Sequence, residues 1–205
     1  MGLKLLVYDG TSKQGETPLR TSWAAGARLY RGLGRIDAYL GASSWSEALA
    51  WCMRQPGDEP IEEIQFWGHG KWGEARIADD RLGASSFDAD HHHAGLLHAL
   101  RPRLLPRGGS LVWFRTCETF GARAGQQFAE RLTRELDVRG AGHTYVIGVL
   151  QSGLHGLRPG ETPSWSDAEG LSAGTPDWPC GAHDSSASAP NTIHFMNGRV
   201  PARFF

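Results

Sequence analysis

Two apolar runs in this chain each end abruptly in a residue able to do acid–base or nucleophilic chemistry. The first is Ile61-Glu62-Glu63-Ile64-Gln65-Phe66-Trp67, followed by Gly68-His69-Gly70. The second is Leu111-Val112-Trp113-Phe114-Arg115-Thr116, followed by Cys117-Glu118-Thr119-Phe120-Gly121. A cysteine attacks a carbonyl as its thiolate, and a neighbouring histidine helps form that anion and later protonates the leaving amine. If the two runs are parallel neighbours in one sheet, their tips stand roughly 4.8 Å apart, within reach of each other's side chains. The negative oxygen of a tetrahedral intermediate needs N–H donors. Gly70, with no side chain to hold a substrate off, is one candidate and the N–H of Cys117 is another. A helix starting near Gly121 would add positive potential at the thiolate.

Other reactive residues surround this pair. Arg115 lies on a strand expected to be buried on both faces, so it needs a partner. That partner is an acid such as Asp9, or else an acidic group on a substrate. Glu118 directly follows the cysteine, and either bonds loop backbone or reads a basic substrate group. His143, before or within a fifth apolar run, orients the pair, lines the cleft or serves the core. Trp72 is one of several tryptophans near the same end of the chain and a candidate for an aromatic cleft. The run His91-His92-His93 invites a metal reading, but adjacent residues on a helix point about 100° apart. It is therefore taken as a solvated helix start, and no metal site is expected.

The elements that must position these groups are marked by periodicity and punctuation. Leu3 to Asp9 reads as a buried strand, followed by a polar loop to about Leu19. Thr21 to about Arg31 reads as a helix with Ser22 as its N-cap, and Arg35 to Leu40 as a second strand. Ser44 and Glu47 have capping-box spacing before a helix through Ala48, Leu49, Trp51 and Met53, stopped by Gln55-Pro56-Gly57-Asp58. Ile61 to Trp67 is the third strand and Ala75 to Ile77 a short hairpin arm. Ala94 to Leu104 is helical, and Leu111 to Thr116 is the fourth strand. Gly121 to Leu136 is an amphipathic helix with Phe128, Leu132 and Leu136 on one face. Tyr145 to Leu150 is the fifth strand. This alternation predicts an α/β fold, a three-layer sandwich with a mostly parallel central sheet, whose site lies outside the carboxyl ends of the strands. One domain is expected over residues 1–205: a sheet-and-helix core to residue 150, then a loop-rich segment, 151–205, draped over the catalytic end and anchored by Trp165 and Trp178. Thr192 to Met196 is a candidate last strand.

In this order, Phe66-Trp67-Gly68-His69-Gly70 and Phe114-Arg115-Thr116-Cys117-Glu118-Thr119-Phe120-Gly121 resemble the catalytic pattern of the caspase-like, or clan CD, cysteine peptidases. The stretch Gly121-Ala122-Arg123-Ala124-Gly125-Gln126-Gln127-Phe128-Ala129 is similar to the helix after the cysteine in bacterial CHAT-like domains. The resemblance covers roughly Leu3 to Leu150. It implies a caspase–hemoglobinase fold, peptide cleavage through an acyl-enzyme at Cys117 with His69 as acid/base, a protein or peptide substrate, and no cofactor. Thr116 departs from the alanine that caspases carry before the cysteine, and the chain after Leu150 matches nothing in the family pattern.

Composition narrows the field. A chain of 205 residues with net charge -1 and no basic block gives nucleic acid no footing. No apolar stretch is long enough to span a membrane, and the apolar start is too short for a signal peptide. Cys52, Cys117 and Cys180 are odd in number and widely spaced, which fits neither a disulfide framework nor a zinc ribbon and favours a reducing cytoplasm. The leading expectation is a cysteine endopeptidase. The alternatives are a non-catalytic caspase-like domain that binds a partner peptide, and a metal-assisted hydrolase using His69, His143 and nearby acids. Oligomeric state is left open.

Overall fold

The computed structural model describes residues 2–11, 19–57 and 59–205. Residues 12–18 of the expected polar loop, and Asp58 of the expected helix stop, lie outside them. The strands are β1 (Leu3–Asp9), β2 (Ala38–Ala42), β3 (Ile61–Trp67), β4 (His69–Lys71), β5 (Glu74–Ile77), β6 (Asp80–Gly83), β7 (Leu111–Arg115), β8 (Arg139–His143), β9 (Leu150–Gln151), β10 (Leu154–Leu157), β11 (Leu171–Gly174), β12 (Pro179–Ala182) and β13 (Ile193–His194). The α-helices are α1 (Leu19–Gly32), α2 (Trp45–Met53), α3 (Ala94–Leu100) and α4 (Ala122–Leu136).

Six strands form a central sheet in the order β10-β8-β7-β3-β1-β2. Its neighbours run parallel, except that β10 is antiparallel to β8. Side chains alternate across it as the pleat requires. On one face Leu5, Val7, Ile64, Phe66, Val112 and Phe114 share a core with Phe128, Leu132 and Leu136 of α4 and with residues of α2 and α3. On the other, Leu6 and Trp67 pack with Ala27 and Tyr30 of α1, while Trp113 and Ala141 pack with Leu154, Ile193 and the partly buried Phe204 and Phe205. Each fully buried side chain of this size contributes roughly 1.5–3 kcal/mol. A separate antiparallel sheet, β4-β5-β6, follows directly from the end of β3.

Local signals explain most boundaries. Ser44 caps α2 by accepting the Glu47 N–H at 3.1 Å. The Glu47 carboxylate reaches one residue further back than a capping box requires, to the Ser43 N–H at 2.7 Å. Helix α1 is already formed at Leu19, so Ser22 lies within it and is not its cap. The second strand is shifted toward Ala42, and Ile36 instead packs under α1. Helix α3 stops at Leu100 rather than Leu104 and passes into a 3-10 turn through Pro102, which has no N–H to continue the α-helical ladder.

One expected strand is elsewhere. The fifth strand of the sheet is not the apolar run 145–150 but the glycine-rich β8. An added Cβ at Gly142 would lie 2.7 Å from the Phe120 ring, and one at Gly140 3.0 Å from the Thr133 side chain. The close approach of Phe120 and α4 to the backbone demands glycine here and overrides strand propensity. Residues 145–149 are thereby left to cross the end of the sheet.

The C-terminal segment is only partly loop. It supplies the edge strand β10, and β13 pairs with β9. Trp165 is buried, its ring stacked on Phe120 at 5.9 Å and its indole N–H donating to the Phe120 carbonyl at 3.1 Å. Trp178, expected as a second anchor, is 83% exposed. Among the described residues no helix is long and apolar enough to cross a membrane.

Candidate active site

Strands β3 and β7 are adjacent and parallel, and Trp67 stands opposite Arg115 at their ends. His69 and Cys117 each follow two residues later, so the two tips leave the sheet level with each other. The chain diverges at that point. His69 opens β4 and is exposed, with its imidazole and the Trp23 ring in a T-shaped contact, centroids 5.4 Å apart. Cys117 enters a tight turn, in which Glu118 takes the left-handed conformation at φ 52° and the Gly121 N–H donates to the Glu118 carbonyl at 2.8 Å.

The turn and the hairpin are stitched together. A Cβ on Gly70 would fall 2.6 Å from the Cys117 carbonyl oxygen and 2.8 Å from the Thr116 Cβ. The Gly73 N–H donates to the Thr119 carbonyl at 3.0 Å, and the Thr119 hydroxyl donates to the Glu74 carbonyl at 3.3 Å. Gly68 is equally confined, since a Cβ there would lie 2.5 Å from the Phe66 ring. The Gly-His-Gly sequence is therefore a packing requirement on both sides of His69. Thr116 is buried, with its hydroxyl against that of Thr119, so it braces the same turn.

The Cys117 sulfur meets residues 145–149. The Ile147 N–H donates to Sγ at 3.4 Å, and the Ile147 carbonyl is 3.9 Å from Sγ. Burial pushes the thiol above its ordinary pKa. The Ile147 N–H and the N–H of Cys117 itself pull it back, while the charges of Glu118 and Asp184 add to the rise. At neutral pH the resting group is the thiol. No hydrogen bond joins it to His69. Both residues line one cavity of about 400 Å³, walled by Leu19, Trp23, Trp67, Ile147, Val149 and Phe195.

No protein-family model matches the chain, and no curated protein is significantly similar to it.

Arg115 also reaches this cavity, yet all its donors are committed inside the protein. Nε and Nη2 donate to Gln151 Oε1 at 3.1 and 2.8 Å, and Nη1 to the Tyr30 hydroxyl at 2.8 Å and the Asn197 carbonyl at 3.3 Å. Nη2 donates as well to the Phe195 carbonyl at 2.6 Å. A guanidinium has five N–H groups, and these five bonds use them. The partner is thus neither Asp9, whose carboxylate accepts from Thr11, nor a free substrate acid. Arg115 instead ties β7 to α1, to β9 and to the chain just after β13.

The other candidates sit apart from the cavity. Glu118 is buried with Oε2 unpartnered, and burial raises its pKa against the pull of Lys71 and Arg76. His143 is fully buried in β8, with Nδ1 3.0 Å from the Ser152 carbonyl and Nε2 unpartnered; burial lowers its pKa to about 3. Trp72 lies at the turn between β4 and β5, under the Lys71 ammonium, and faces a different groove with His91 and Gln127. Cys52 is a core thiol pushed up to about 12, and Cys180 is exposed. Ile147, Gln151 and Phe195 were not legible as site residues, because only tertiary contacts bring them to Cys117 and Arg115. Among the described residues, Asp80, His92 and His93 form the one His/Cys/Asp/Glu group whose donor atoms are close enough to share a metal ion.

Proposed function

We propose that the protein is a caspase-like cysteine endopeptidase with Cys117 as nucleophile and His69 as acid/base. The observation that carries this is the shared cavity. Two residues 48 positions apart are delivered level, from adjacent parallel strands, into one solvent-accessible pocket, and Gly70 and Thr119 lock their loops together. The mostly parallel sheet with helices on both faces is the architecture the family resemblance implies.

The chemistry follows from the resting thiol. As substrate binds, His69 takes the Cys117 proton while the sulfur adds to the scissile carbonyl. The N–H groups of Gly70 and Cys117 are the donors assigned to the oxyanion. Collapse of the tetrahedral adduct breaks the C–N bond, and His69 returns its proton to the departing amine. Water, deprotonated by His69, then cleaves the thioester and regenerates the thiol. The cavity walls are apolar and aromatic, and Arg115 has no donor to spare. The substrate side chain beside the scissile bond is accordingly apolar or aromatic rather than acidic.

A second reading draws on one observation: the thiol is held protonated by burial and touches Ile147 rather than His69. A domain that binds an extended peptide in the same cavity without cleaving it fits that resting arrangement.

The deciding experiment is cleavage of a peptide library, read by mass spectrometry, with labelling by a peptidyl acyloxymethyl ketone ending in Phe or Leu. Cleavage and labelling of Cys117, both lost in His69→Ala and Cys117→Ala, are expected. Peptide binding without cleavage, unchanged in Cys117→Ala, would replace the peptidase with the binding domain.

A further inference from the structure

The run His91-His92-His93 leads into α3, with His93 as the N-cap of that helix. It forms the turn before α3, with the His91 N–H on the Asp88 carbonyl and the Ala94 N–H on the His91 carbonyl. The turn folds the imidazoles onto one another rather than fanning them out. The His91 and His92 rings stack at 4.4 Å, and the His92 and His93 rings lie 3.8 Å apart. His93, expected in solvent, is fully buried. Its Nε2 is 2.8 Å from Oδ1 of Asp80, the first residue of β6, and His92 Nε2 is 3.5 Å from the same oxygen.

We propose that Asp80, His92 and His93 bind a zinc-class divalent cation, and that the ion braces the hairpin carrying His69. Two imidazole nitrogens and a carboxylate oxygen are a donor set that suits zinc. All three donor atoms lie within 4.8 Å of one another. Tetrahedral coordination with metal–ligand bonds of about 2.0–2.1 Å separates donors by about 3.4 Å. Displacements well under the length of a bond bring the set to that spacing. The ion would take the place of the hydrogen bond between His93 and Asp80.

The surrounding groups orient the donors as outer partners of a metal do. The Trp45 N–H donates to the other Asp80 oxygen at 2.7 Å, turning Oδ1 toward the histidines. The Ser46 hydroxyl is 3.4 Å from His93 Nδ1, so a proton on Nδ1 leaves the Nε2 lone pair for the ion. His92 has 64% of its side chain exposed, which gives an entry path and room for water as fourth ligand. The apolar floor is closed by Trp45, whose indole donates to the Ala75 carbonyl at 2.9 Å.

The consequence for the molecule comes from the strand ladder. Asp80 pairs with Ile77, and the next rung joins Arg81 to Arg76 and Arg76 to His69. The cation would therefore be about two strand spacings, roughly 10 Å, from His69. It would fasten the β4-β5-β6 sheet to the turn before α3.

The test does not depend on peptidase activity. Zn²⁺ is titrated calorimetrically into Cys117→Ala protein, so that the Cys117 thiolate cannot take the ion, and into the same protein carrying His92→Ala. His92 is exposed, and its loss leaves the fold intact. One ion per chain is expected, with affinity falling about tenfold or more in the His92→Ala protein. Hydrogen exchange in residues 69–83 is expected to slow on addition of Zn²⁺. Failure to bind Zn²⁺, or equal affinity in the two proteins, would reduce the cluster to a hydrogen-bonded tether. Binding that leaves exchange in residues 69–83 unchanged would remove the brace.

Discussion

The α-carbon of Gly70 packs so closely on the carbonyl oxygen of Cys117 that a single added methyl would come within 2.6 Å of it. The backbone after the base is in contact with the backbone of the nucleophile, and the separation of the two side chains depends on that contact. Gly70→Ala must push the β4–β5 hairpin away from the turn. Overpacking of this kind costs about 1–3 kcal/mol, and an ångström of misplacement at a reacting pair costs about a hundredfold in rate. The variant is expected to fold with a lower urea midpoint and to lose peptide cleavage out of proportion to its stability. A Gly70→Ala protein with unchanged cleavage would show that the contact does not set the geometry of the pair.

Ile147 is the residue through which the crossing segment acts on the thiol. Its N–H at 3.4 Å from Sγ favours the thiolate, against burial and the charges of Glu118 and Asp184. Ile147→Pro deletes that donor and Ile147→Ala keeps it. In a pH series of iodoacetamide alkylation, mapped by mass spectrometry, the Cys117 midpoint is expected to rise in the proline variant. It should stay near wild type in the alanine variant. Equal midpoints in all three would mean that the N–H does not act on the sulfur.

Arg115 ties the cavity wall together. Its removal as Arg115→Leu takes both donors from Gln151 Oε1 and the one donor to the Tyr30 hydroxyl oxygen, and leaves the carbonyls of Phe195 and Asn197 to share the Tyr30 hydroxyl. Stranding buried polar groups in this way costs about 3–5 kcal/mol. The loss is expected to appear twice: as a lower urea midpoint, and as faster proteolysis in residues 193–205, whose Phe195 and Asn197 carbonyls lose one of their two donors. Arg115→Lys should not rescue it, because a lysine supplies three donors from one point rather than a planar fork. A stable Arg115→Leu protein that fails only on acidic substrates would return the residue to a substrate-reading role.

How much of this was legible in the sequence depends on how local the cause is. Strands β3 and β7 announce themselves through apolar runs and bounding glycines, and they place His69 and Cys117 beyond the carboxyl end of the sheet. Strand β8 was not legible, because its glycines are selected by the Phe120 ring, a tertiary contact that erases the usual strand signal. The apolar run 145–150 looked like a strand of the central sheet, but Ile147 and Val149 line the cavity beside Cys117 instead, and only Leu150 enters a strand, the short β9. His93 read as a surface residue because three consecutive histidines suit a helix start. Only the partner Asp80, 13 residues earlier on a different element, reveals a buried turn.

His143 gives the stability of the fold a predictable acid limb. Buried in β8 with a pKa lowered to about 3, it stays neutral where the unfolded chain, near 6.5, takes up a proton. The unfolded state thus binds more protons between those values, and stability rises with pH there. The contribution is fully present above pH 6.5 and is lost as pH falls toward 3, by about 1.4 kcal/mol per unit for one proton. His143→Leu removes this proton uptake, at a cost of about 1 kcal/mol at pH 8 from the lost bond to the Ser152 carbonyl. Urea midpoints measured from pH 4 to 8 should therefore show a shallower slope for His143→Leu than for wild type. The two curves should cross near about pH 6, with the His143→Leu protein the more stable below the crossing. Parallel curves would mean that His143 is already protonated in the native protein, with its unpartnered Nε2 hydrated rather than dry.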